Sequence, residues 1–87
     1  MIFIMLIKDK KTPTKEITAR CTKMLGQLKK KGIKILGFYW TLGRYDDVVI
    51  LEAPTEKDAM KLAFDVREDV TTETLVAIPR EEGLKLL

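Results

Sequence analysis

The chain has 87 residues, 46% hydrophobic and 33% charged, which suits one soluble domain over residues 1–87 with its own apolar core. It contains no His, no Ser and one cysteine, Cys21. That composition excludes Ser–His and Cys–His nucleophile pairs, histidine-based metal or haem sites and any internal disulfide, so no metal or other cofactor is expected. The net charge of +3 is unevenly spread: residues 1–34 carry ten basic and two acidic side chains, residues 35–87 six and eleven.

The run MIFIMLIK is continuously apolar until its last residue, the pattern of a strand buried on both faces. It is too short to span a membrane. No basic segment precedes it as in a signal peptide, and a lone cysteine fits a reducing compartment, so a cytoplasmic setting is expected. In KDKKTPT, Thr12 reads as an N-cap, with Pro13 at the first helical position. The helix that follows places Ile17, Cys21, Met24 and Leu28 on one stripe. Lys29, Lys30 and Lys31 complement the negative end of its dipole, and Gly32 supplies the stop.

A second strand is expected from Ile33 to about Leu42, and a third from about Asp46 to Ala53. Thr55 with Asp58 reads as a capping box, opening a helix whose inward residues are Ala59, Leu62, Ala63 and Val66. TTETLVAI is the fourth strand, ended by Pro79, and REEGLKLL is a short amphipathic tail.

The order βαββαβ plus a tail gives an α+β, ferredoxin-like fold. Right-handed crossovers set the antiparallel sheet order at 4-1-3-2, with both helices on one face. The two central strands are then IFIMLI and VVIL, the two most apolar. Two helices cover one face only. Alternate residues of the first strand on the other face would forfeit about 1.5–3 kcal/mol each if left in water. A second copy of the chain, packed sheet against sheet, is the expected cover.

YWTLGRYDD, residues 39–47, concentrates the polar chemistry. A two-residue Gly43-Arg44 loop sets Trp40 opposite Asp47 and Tyr39 opposite Val48. Leu36, Phe38, Trp40, Leu42, Tyr45, Asp47, Val49 and Leu51 then face the helices. Ile35, Gly37, Tyr39, Thr41, Asp46, Val48, Ile50 and Glu52 face the partner copy, and Gly37 admits a close backbone or ligand. Buried polar groups need partners, so Tyr39, Trp40, Thr41, Arg44, Tyr45 and Asp46 are the candidate ligand-binding residues. The competing reading is a purely structural corner, since turns use Gly and Asp for conformation alone.

YWTLGRYDDVVILEAP followed by TTETLVAIP resembles the GYD domain family, whose naming motif is matched by Gly43, Tyr45 and Asp46. The likeness runs from the first strand to about Glu82. It implies a small ferredoxin-like protein, related to dimeric α+β barrels, of largely unassigned role. This chain has KDKKTPTK where members often carry a Thr–x–x–Gly stretch.

Nucleic acid is disfavoured as a partner despite the lysine run. RNA-recognition domains of this topology stack bases on their first and third strands, whereas here Phe38, Tyr39 and Trp40 lie on the second. Cys21 on the inward stripe reads as core, not nucleophile. The Lys- and Glu-rich, amide-poor composition resembles that of heat-adapted proteins. The expected function is a homodimeric small-ligand-binding module. The alternatives are a cofactor-independent, monooxygenase-like enzyme with Tyr39, Trp40 and Asp46 around an aromatic substrate, and a docking protein with no pocket.

Overall fold

The computed structural model describes all 87 residues. In chain order it contains β1 (Ile2–Asp9), α1 (Lys15–Leu28), β2 (Lys34–Trp40), β3 (Asp47–Glu52), α2 (Glu56–Val66), β4 (Val70–Ala77) and α3 (Arg80–Leu84). The four strands form one antiparallel sheet of order β2-β3-β1-β4, the expected ferredoxin-like order counted from the other edge. No helix is long and apolar enough to cross a membrane.

The core lies between the sheet and the helices. Phe3 and Met5 of β1 pair with Leu51 and Val49 of β3, and all four are almost fully buried beneath Leu28, Ala59 and Leu62. Burying a side chain of this size contributes about 1.5–3 kcal/mol. The opposite face carries Ile2, Ile4 and Leu6 of β1, with Ile50 and Val48 beside them on β3. These are only half-buried within one chain, and Leu75 of β4 is exposed next to Ile4.

Local signals set most boundaries. The capping box holds: the Asp58 N–H donates to Thr55 Oγ1, and the Thr55 N–H donates to Asp58 Oδ2 at 3.0 Å. After α1, Lys29–Lys31 forms a 3-10 turn and Gly32 adopts a left-handed conformation. The first N-cap is Thr14, not Thr12: its hydroxyl accepts from the Ile17 N–H at 3.1 Å. Capping there brings Glu16 into the first turn, beside the positive end of the dipole.

The hairpin register agrees at Trp40 opposite Asp47 and Tyr39 opposite Val48. A bulge between Ile35 and Gly37 then shifts it by one residue. Ile35 therefore pairs with Leu51 and joins the core face, and Leu36, expected inward, is exposed. The hairpin loop is also wider than two residues. Regular pairing ends at Trp40 and resumes at Asp47, Gly43 supplies the positive φ, and Leu42 stands in solvent instead of facing the helices.

Candidate functional site

Helix α1 does not lie flat on the sheet. Leu28, at its C-terminal end, is buried, whereas Ile17, Cys21 and Met24 along the same stripe are only half-buried. The helix is thus anchored at one end and stands off toward its N-terminus. The opening between α1, the sheet and the end of α2 is a cleft of about 770 Å³, within the size range of small-ligand sites. The stripe expected to be core is the cleft's inner wall. Met5, Ile7, Ile35, Phe38, Trp40 and Val49 make the sheet wall. Val66 and the turn from Asp65 to Val70 close the far side, where Arg20 of α1 meets Asp69 at 3.4 Å.

Carboxylates gather at the sheet end of this cleft. The alternation that turns Phe3, Met5 and Ile7 toward the helices carries Asp9 to the same face, and Asp47 pairs with Ile7 on that face. Burial, then the Asp46 charge, pushes the Asp9 carboxyl above its ordinary range, with Lys8 opposing. Burial likewise raises Asp47, reinforced by Asp9 and Asp46. Cys21 faces them from α1: burial and the charges of Asp47 and Asp9 hold its thiol protonated. It is therefore a poor nucleophile at neutral pH.

The GRYD tip works as a staple. The Asp46 carboxylate accepts from the Asp9 N–H at 2.7 Å, and the Asp46 N–H donates to the Ile7 carbonyl at 2.8 Å. The Tyr45 hydroxyl donates to Glu73 of β4 at 2.5 Å, which raises its pKa. Glu73 pairs with Leu6, so Tyr45 reaches across β1 on the face away from the helices. Thr41 donates its hydroxyl to the Tyr45 carbonyl at 2.7 Å, the Arg44 guanidinium lies 5.2 Å from the Tyr45 ring centre, and Lys8 donates to the Arg44 carbonyl. Asp46 and Tyr45 have thus exchanged the faces expected of them, because strict alternation ends where the strand does, at Asp47.

Of the six candidate residues, the structure brings Trp40 and Asp46 to the cleft. Thr41, Arg44 and Tyr45 build the staple. Tyr39 lies on the open face with its ring over Gly37, where an added Cβ would come within 2.8 Å of it. The ring of Tyr39 itself therefore takes the space expected for a ligand or second backbone. Tyr39 and Asp46 point to opposite faces, so the enzyme-like grouping of Tyr39, Trp40 and Asp46 around one substrate is not assembled within this chain. The candidates missed from sequence are Asp9, Asp47, Cys21 and Phe38. A signal existed: period-two alternation puts two carboxylates on an otherwise core-facing surface, which an ordinary core would exclude.

Among curated proteins and solved structures, none matches this chain significantly. Residues 3–87 match the model of one protein family, described as the GYD domain. The chain belongs to the GYD domain family.

Proposed function

We propose that this GYD domain protein is a cytoplasmic small-ligand-binding module, with its ligand held in the cleft between the sheet and α1. The observation that carries this reading is the cleft itself, about 770 Å³, walled mainly by apolar side chains, with carboxylates both at its sheet end and along the turn after α2. Trp40 supports it. An indole left 84% exposed beside an apolar cleft contributes little to the fold, but offers a large flat surface to a ligand. Recognition would rest on apolar contact with Phe38, Trp40, Ile17 and Met24, oriented by the carboxylates of Asp9, Asp46 and Asp47.

The working unit in this proposal is a homodimer joined through the open sheet face. Four strands about 4.8 Å apart, with about six residues each rising 3.3 Å, give a projected area of roughly 400 Å². Its centre is apolar, with Ile2, Ile4, Leu6, Val48, Ile50 and Leu75 side by side, and such a contiguous apolar patch is often an interaction surface. Lys8 and Lys34 stand at its rim with Glu52 and Glu73, two charges of each sign, which is compatible with a self-complementary two-fold interface. The cleft opens on the other side of the sheet and stays accessible in such a dimer.

A thermal-shift screen of small aromatic compounds tests the binding reading, with alkylation of Cys21 as the reporter of occupancy. A true cleft ligand raises the melting temperature, slows Cys21 alkylation and loses both effects in Trp40→Ala. Stabilising compounds that leave Cys21 equally reactive would place binding elsewhere and refute the cleft. Light scattering at micromolar concentration should give a dimer, and a clean monomer would remove the sheet-to-sheet association.

A further inference from the structure

Resting on the cleft as the ligand site, we propose that it selects an organic cation, a protonated amine carried on an aromatic body. Six carboxylates line it: Asp9, Asp46, Asp47, Asp65, Glu68 and Asp69. Arg20 is the one basic side chain in the lining, and it is engaged with Asp69. The lining is therefore strongly negative in a chain whose net charge is +3. Clefts with low-dielectric walls focus such a field and concentrate counter-charged ligands.

The placement of these groups runs against what the fold alone would favour. Asp65 lies in the last turn of α2, which holds no basic residue, so a negative side chain sits at the negative end of the dipole. Asp9 and Asp47 share an apolar surface with Asp46: burial and then the Asp46 charge make Asp9 harder to ionise, and burial and then the charges of Asp9 and Asp46 do the same to Asp47. A bound cation would relieve both conflicts, whereas an anion would worsen them. No three carboxylate or thiol groups converge as a metal-holding set. The negative charge is spread along the cleft, as suits a cation on an extended body more than a bare metal ion. The aromatic walls agree, since Trp and Phe rings attract cations through their faces.

The lone thiol allows a test that needs no prior ligand. Cys21 of the intact protein is treated with two methanethiosulfonates of similar size, one bearing trimethylammonium and one bearing sulfonate. Their rate ratio is normalised to that on glutathione methyl ester. The proposal expects the cation to be favoured at least about tenfold, collapsing in 1 M salt, where the Debye length is about 3 Å. Asp9→Asn with Asp47→Asn should also shrink the ratio severalfold. These changes remove repulsion, so folding is not at risk. A normalised ratio near one in the unaltered protein overturns the proposal.

Titration of Trp40 fluorescence with 2-phenylethylamine, 2-phenylethanol and 3-phenylpropanoate separates this inference from the reading beneath it. Binding in which the amine is about tenfold tighter than the other two supports it. An alcohol or carboxylate that binds as tightly as the amine, with Cys21 protected, overturns cation selectivity while the cleft stands as a ligand site. Should none of the three bind, the thiol ratio decides.

Discussion

Replacing Trp40 with Ala separates a residue kept for binding from one kept for folding. The indole is 84% exposed, so folding buries roughly one-sixth of it. Full burial of a Trp removes up to about 250 Å² from water. One-sixth of that, about 40 Å² at 25 cal/mol per Å², costs about 1 kcal/mol when deleted. Urea unfolding followed by far-ultraviolet circular dichroism should therefore show a midpoint lowered by less than about 1 M with an unchanged slope. A ligand ring laid on the indole buries about 80 Å² of it, worth about 2 kcal/mol, with up to about 1 more from ring stacking. The affinity of a cleft ligand, measured calorimetrically because the only tryptophan is gone, should fall by about 30- to 150-fold. A stability loss above about 3 kcal/mol would mean that the indole is packed as core. An unchanged dissociation constant would remove Trp40 from the site.

Four further outcomes follow from the same geometry. Leu51 is fully buried in the central sheet, and Leu51→Ala should cost about 2–5 kcal/mol in urea unfolding; a loss below 1 would contradict its central place. Asp47→Asn should raise the melting temperature at pH 7, by up to about 1 kcal/mol in stability after solvent screening. The raised pKa of Asp47 means that the folded state takes up its proton more readily than the unfolded chain does. Its contribution to stability is therefore full below about pH 3.9 and is lost as pH rises through the folded value. The Asn variant's advantage should vanish by about pH 3, and an advantage that persists there would show that the cost of ionising Asp47, from burial and then repulsion by Asp9 and Asp46, is not its source. Ile4→Lys, at the centre of the open face, should yield a folded monomer by light scattering; a persistent dimer would locate self-association elsewhere. Gly43 has φ 105°, so Gly43→Val should destabilise the hairpin by about 1–3 kcal/mol, and a neutral result would mean that the tip relaxes freely.

The sequence determined what depends on near neighbours along the chain. The continuous apolar runs MIFIMLI and VVIL, the four- and three-residue steps of the helices, and the Thr55–Asp58 box are local, and each specified an element. The helical steps also specified an inward side, whereas which alternate residues of the first strand face inward was left open. Strand order followed, because crossover handedness leaves few ways to assemble βαββαβ. The GRYD stretch was legible as a special turn, and the facing of Trp40 and Asp47 was set by counting residues from it.

Only the tertiary structure decided where chemistry could gather. The bulge beside Leu36 moved Ile35 to the core, and the hydrogen bonds of Tyr45 to Glu73 and Asp46 to Asp9 turned an alternating tip into a staple. Those contacts join residues 28 and 37 positions apart, and no local pattern contains them. The cleft has the same origin. It exists because α1 is anchored at Leu28 and stands off near Ile17, an angle set by the packing of distant elements rather than by the helix's own periodicity.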